Sequence, residues 1–79
     1  MNLQILYFAS LRDQAGKDAE AIVSSAQDAS GLYAELKTRH GFSLDQGKLR
    51  VAINGGFAEW NAILRDGDEV VFLPPVSGG

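Results

Sequence analysis

A chain of 79 residues, 46% of them hydrophobic and 22% charged, holds enough apolar side chain for one small core and too much for a disordered segment. Seven Lys and Arg, scattered along the chain, stand against ten Asp and Glu, and the net charge of −3 argues against a nucleic-acid surface. The lack of cysteine rules out disulfides, thiolate metal sites and a cysteine nucleophile, while the lack of a long apolar run or a leader at Met1-Asn2-Leu3-Gln4 points to a soluble cytoplasmic protein with no membrane partner.

Residues 3–8, Leu-Gln-Ile-Leu-Tyr-Phe, read as a strong strand. Leu3, Ile5 and Tyr7 fall on one face and Leu6 and Phe8 on the other, which predicts a central strand with a helix covering one side. Residues 9–17 form a polar connection broken by Gly16, with a short turn of helix near Leu11. Residues 19–23, Ala-Glu-Ala-Ile-Val, give a weaker strand, the return arm of a hairpin at a sheet edge.

A helix follows, capped by Asp28 or Ser30. Ala29, Leu32, Tyr33 and Leu36 make one buried stripe, and Glu35 and Arg39 are spaced to pair on the outer face. His40-Gly41 ends it, because glycine takes the left-handed cap conformation at little cost. With no second histidine to share a metal, His40 reads as a cation or donor beside the helix C-terminus.

Leu49, Val51 and Ile53 alternate with Arg50, Ala52 and Asn54 in a half-buried strand. Asn54-Gly55-Gly56 turns the chain, Phe57 opens a short extended piece, and Trp60, Ile63 and Leu64 anchor a compact crossover. Arg65-Asp66-Gly67-Asp68 is a tight turn into a last strand near residues 69–73. The expected fold class is α+β, with a mixed four- or five-stranded sheet packed against one main helix.

The ending Pro74-Pro75-Val76-Ser77-Gly78-Gly79 carries the chemistry. Two prolines stop the strand and fix φ near −65°, so the chain leaves the sheet stiff and extended. The five residues past Pro74 reach at most about 16 Å. The final glycines have no Cβ to obstruct a narrow channel, so a terminal carboxylate can be delivered into a partner's active site. An ordinary terminus of small residues is the plainer alternative. Asp66, Asp68 and Glu69 gather ahead of this uncharged end, and they read either as a polar turn or as a patch for a basic partner.

Phe8-Ala9-Ser10-Leu11-Arg12, Gly16, the helix around Leu32 and Leu36, Val51-Ala52-Ile53-Asn54 and the run from Leu64 to Gly79 together carry a resemblance over nearly the whole chain. The sequence resembles the small, sulfur-carrying subunits of molybdopterin synthases, which are ubiquitin-like β-grasp proteins. Gly55-Gly56-Phe57-Ala58-Glu59-Trp60 departs from that pattern, since relatives more often place Gln or Arg and larger residues after the equivalent Asn.

The resemblance implies a β-grasp domain over residues 1-74 and a flexible tail over 75-79. It implies that a separate adenylating enzyme, of the kind that activates ubiquitin, uses ATP and Mg²⁺ to adenylate Gly79, and that a sulfur donor protein then supplies a thiocarboxylate there. No cofactor is expected on the isolated chain, because Gly55-Gly56 lacks the Lys and Ser/Thr of a phosphate loop. Pro75, Val76, Ser77 and Gly78 are implied to thread into the large synthase subunit, with Ser77 or Val76 fixing depth. Sulfur then passes to a cyclic pyranopterin precursor. Phe8, Leu64 and Phe72 are expected to divide between core and partner interface, Phe72 foremost at the interface. The large subunit is expected to hold the catalytic pocket, which makes this chain a sulfur-donor subunit. A carrier for thiamin thiazole synthesis, a ubiquitin-like modifier and a β-grasp interaction domain without covalent chemistry remain as alternatives.

Overall fold

A computed structural model describes residues 1–75. In chain order the elements are β1 (Asn2–Tyr7), α1 (Ala9–Ala15), β2 (Ala19–Val23), α2 (Ala29–His40), a 3₁₀ turn (Gln46–Lys48), β3 (Arg50–Ile53), β4 (Gly56–Ala58) and β5 (Glu69–Leu73). The five strands form one sheet in the order β2-β1-β5-β3-β4. β1 and β5 run parallel, and the other neighbours run antiparallel.

Period-two alternation decides which side of each strand is buried. Leu3, Ile5 and Tyr7 of β1, Val51 of β3, and Val70 and Phe72 of β5 all point inward. They meet the stripe of Ala29, Leu32, Tyr33 and Leu36 on α2, so one face of the sheet and one face of one helix make the core. Tyr33 is fully enclosed, and its hydroxyl finds the Leu44 carbonyl at 2.6 Å, as a buried phenol requires.

Local sequence sets the boundaries. Asp28 rather than Ser30 caps α2, its carboxylate accepting from the Gly31 amide at 2.8 Å. Gly41 closes the other end at φ 70°, its amide bonded to the Lys37 carbonyl. β3 and β4 are joined by a two-residue turn, Asn54 at φ 52° and Gly55 at φ 88°, the pairing that Asn-Gly favours because both positions need the left-handed region.

The short extended piece at Phe57 is the paired edge strand β4, and the sheet has five strands, within the expected four or five. Two expectations change. The connection after β1 is a two-turn helix held down by the fully buried Leu11, and Phe8 lies just outside the strand. Ile63 anchors nothing: its backbone bridges to Asp28 while its side chain stays 69% exposed. No helix among the described residues is long and apolar enough to cross a membrane.

Candidate functional site: the tail root and the open sheet face

The segment that leads into the tail is pinned by the turn before it. The Asp68 carboxylate, nearly buried, accepts from the Asn54 amide nitrogen at 2.8 Å and from the Arg65 backbone amide at 2.8 Å. Asn54 returns the bond through its own oxygen, which accepts from the Glu69 amide at 2.9 Å. Beyond it, Asp66 accepts from the Asn2 amide at 2.6 Å, and the Gly67 amide donates to the Asn2 carbonyl at 2.7 Å. Two of the three acidic residues, Asp66 and Asp68, therefore satisfy donors of the turn, as the polar-turn reading had it, while Asp66 and Glu69 stay exposed.

Leu64 and Phe72 do not reach the surface of the chain, which corrects their expected place at the interface. Leu64 is 5% exposed and Phe72 wholly buried, stacked on Trp60 at 5.9 Å and tilted against Tyr33 at 5.2 Å. The physical reason is register. In Val70-Val71-Phe72-Leu73 every residue is apolar, and pairing with β1 and β3 turns Val70 and Phe72 inward and leaves Val71 and Leu73 outward. Phe8 is the aromatic that remains available, 46% exposed at the end of β1.

The face away from α2 is apolar along one row, as Leu6 on the second face of β1 foreshadows. Ladder partners align Ala19, Leu6, Val71, Ala52 and Phe57 into one row that crosses all five strands. Leu73 stands opposite Arg50 in the next row, toward the tail. At the β4 edge, Arg50 lays its guanidinium over the Phe57 ring, 4.4 Å from the centroid. Hollows of about 280 and 450 Å³ open on either side of this pair. The larger is walled by Lys48, Leu73, Pro74 and Pro75, so it adjoins the root of the tail. Val76, Ser77, Gly78 and Gly79, which carry the expected chemistry, lie outside the described residues.

A second cluster lies apart from the tail and left no trace in the sequence pattern. His40 does sit at the C-terminus of α2 as a donor, but its partner is Glu20 of β2, with Nε2 2.6 Å from Oε2. The Tyr7 hydroxyl donates to the same oxygen, and Lys17 stands 3.6 Å from the other. Burial raises the Glu20 carboxyl, yet the bonds from Tyr7 and His40 and the positive charge beside it outweigh that, and the net shift is downward. Burial and the Glu20 carboxylate together push the Tyr7 phenol well above its ordinary value. No group of three or more metal-ligating side chains occurs among the described residues. Gly55 and Gly56 are spent on the β3–β4 hairpin, with no helix N-terminus behind them to cradle a phosphate.

The ThiS family profile matches residues 5–79. The molybdopterin synthase sulfur carrier subunit of Escherichia coli is 35% identical over 80 residues, covering 98% of this chain and 99% of its own length. Among solved structures, a protein described as a putative molybdopterin converting factor subunit 1 from Pyrococcus furiosus superposes with a TM-score of 0.78 at 31% identity, over 96% of this chain and 99% of that one. A chain from the complex of molybdopterin-converting factor subunits 1 and 2 of Helicobacter pylori superposes at 0.70 with 29% identity, over the full length of both. With the helix-on-sheet architecture and the β1–β5 parallel pair in place, the chain belongs to the ThiS family of ubiquitin-like β-grasp sulfur carriers.

Proposed function

We propose that the chain is the sulfur-donor subunit of a molybdopterin synthase. The observation that carries this reading is the end-to-end similarity to molybdopterin synthase sulfur carrier subunits, 35% identical across 98% of the chain. The two-subunit complex among the structural relatives supports a large-subunit partner.

In this reading Gly79 is the reacting residue. Its carboxylate repels nucleophiles and has no good leaving group. An adenylating enzyme joins it to the α-phosphate of ATP with Mg²⁺, releasing pyrophosphate. A hydrosulfide ion released by the sulfur donor then attacks the acyl carbon, the acyl–oxygen bond breaks, AMP departs with its electron pair, and loss of the sulfur-bound proton leaves a thiocarboxylate. The large subunit receives the tail and passes its sulfur to the cyclic pyranopterin precursor. This chain's part is to present the tail at a fixed origin. The clamp of Asn54 and Asp68 and the central place of β5 hold that origin, and Pro74-Pro75 starts the tail away from the sheet. Gly78 gives clearance, Ser77 or Val76 sets the depth to which the tail threads beyond Pro75, and Phe8 with the apolar outer face meets the partner.

The test is a mass measurement on the C-terminal peptide. The pure chain is incubated with its host's adenylating enzyme, ATP, Mg²⁺ and a sulfur source, and then with the large subunit and precursor. Replacement of oxygen by sulfur at Gly79, lost again on adding the large subunit and precursor, supports the proposal. Sulfur that loads but passes only to a different acceptor assigns the carrier to another pathway. An unmodified Gly79 beside a working control carrier refutes it.

A further inference from the structure

The hollow of about 450 Å³ at the tail root has Leu73, Pro74 and Pro75 along one wall and Lys48 and Arg50 across from them. Phe57 lines it as well, and no carboxylate does. Among the described residues neither Lys48 nor Arg50 enters an ion pair. Asp45, three positions before Lys48, is paired with Lys37, and Glu59 lines the smaller hollow instead. In a chain of net charge −3, two cations therefore face an apolar floor with no carboxylate beside them among the described residues.

The chain itself carries the complement. Arg50 stands opposite Leu73 in the antiparallel β3–β5 ladder, so counting back on one strand and forward on the other brings Lys48 level with Pro75. Four residues follow Pro75: Val76, Ser77, Gly78 and Gly79. They span at most about 13 Å, and both cations line the same hollow as Pro75, within that reach. Val76 is apolar, Ser77 is small, and the two glycines allow the backbone to reverse. The one charge in this stretch is the carboxylate at Gly79. A tether this short holds that carboxylate at an effective concentration of roughly millimolar. A second copy of the chain is a poor occupant, because a two-fold contact would set Lys48 and Arg50 against their own equivalents.

We propose that in the free chain Val76–Gly79 folds back over this hollow, with Val76 against Phe57 and the Gly79 carboxylate between Lys48 and Arg50. The inference rests on the reading of Gly79 as the reacting carboxyl. The contact is autoinhibitory: the chain shields its own end until a partner that takes up the outer face displaces it. A thiocarboxylate carries the same single negative charge, so the loaded tail seats in the same way and its acyl carbon is kept from water.

The experiment is an NMR titration of the Gly79 carboxyl in the full carbon-13-labelled chain, without partner, at low and high salt. The double variant Lys48→Gln/Arg50→Gln changes two exposed residues, and Arg65→Gln removes an exposed cation ahead of β5, at the end of that strand away from the tail. Unchanged thermal midpoints establish that each variant folds. The carboxyl is expected to titrate about half a pH unit or more lower in wild type than in the double variant. Arg65→Gln is expected to match wild type, and high salt to remove most of the difference. The Val76 methyl resonances are expected to carry a ring shift that Phe57→Ser abolishes. Identical titrations in wild type and the double variant overturn the inference, and sulfur loading at Gly79 in the same chain leaves the carrier reading standing. A wild-type shift that grows with protein concentration overturns the choice of occupant, since a neighbouring chain's tail then fills the hollow. A Gly79 that fails to load beside a working control carrier overturns the carrier reading and the shielding role with it.

Discussion

Asn54 and Asp68, fourteen positions apart, hold each other across the entrance to the last strand, with the Asn54 amide nitrogen 2.8 Å from the Asp68 carboxylate. The asparagine sits in the left-handed turn of the β3–β4 hairpin, and the aspartate sits in the turn before β5. One polar contact therefore closes the end of the β3–β5 ladder where Ile53 pairs with Val70. Asp68→Ala strands the Asn54 side-chain donor and the Arg65 amide, at a cost of about 2–4 kcal/mol. Asp68→Asn, which keeps one acceptor, costs about half as much. Urea unfolding midpoints rank the two, and equal midpoints for Asp68→Ala and wild type would show that the clamp contributes nothing.

Phe72 and Phe8 are expected to separate core from contact surface. Phe72→Ala opens a cavity between Trp60 and Tyr33 and destabilises by about 3–5 kcal/mol, a large share of the stability of a domain this size. Phe8→Ala removes a half-exposed ring and changes stability by less than about 1 kcal/mol, while weakening binding to the large subunit. Thermal denaturation of the pair, with binding measured on the folded variant, checks both halves.

Stability depends on pH through Glu20. Its folded carboxyl ionises more readily than the unfolded one, so its contribution is complete above the ordinary carboxylate range and falls away as pH drops through the lower folded value. Tyr7 acts in the opposite sense: its proton is held more tightly in the fold, so its contribution is complete below the ordinary phenol range and is lost as pH rises beyond it. Glu20→Gln still accepts from Tyr7 but no longer titrates. Its unfolding midpoint is expected to change less than that of wild type between about pH 3 and pH 6. Parallel acid limbs in the two proteins would sink the assignment.

Chain length at the tip is expected to matter more than composition elsewhere. One Ala added after Gly79 moves the reacting carbonyl by roughly 3.3 Å, enough to abolish sulfur transfer in a positioned site, and leaves the thermal midpoint unchanged. Gly78→Val tests the channel's width in the same way. Mass spectrometry of the C-terminal peptide after loading and transfer reads both, and normal turnover in either refutes the corresponding constraint.

Much of this architecture is legible from residue order because the signals are local. Asp28, Gly41 and the stripe through Leu32 and Leu36 define α2 within a dozen positions, and Asn54-Gly55 announces its hairpin. The Glu35–Arg39 pair forms at 3.4 Å as its spacing predicts. What stays hidden depends on neighbours far along the chain. Val70 to Leu73 are apolar throughout, so no alternation tells which face Phe72 takes until β1 and β3 fix the register. His40 reads correctly as a donor, but Glu20 lies twenty positions away and enters only when β2 folds beside α2. Ile63 looks like an anchor by composition, yet backbone pairing with Asp28 sets its orientation. The tail is the reverse case: its stiff, narrow shape is read from the residues themselves, its sulfur chemistry is what the family resemblance implies, and the fold contributes the place from which it starts.

The position of β5 has a mechanical consequence. Among the described residues no ladder joins β1 to β3, and β5 is the strand that bridges the β1–β2 ribbon and the β3–β4 hairpin. Because β1 and β5 run parallel, the first strand begins at one end of the sheet while the last strand leaves from the other. Tension applied between the start of the chain and the segment beyond Pro75 therefore loads the β1–β5 hydrogen bonds in shear, all at once, where an antiparallel pair would peel one bond at a time. A partner that draws on the end of this protein while its start is held meets that shear geometry.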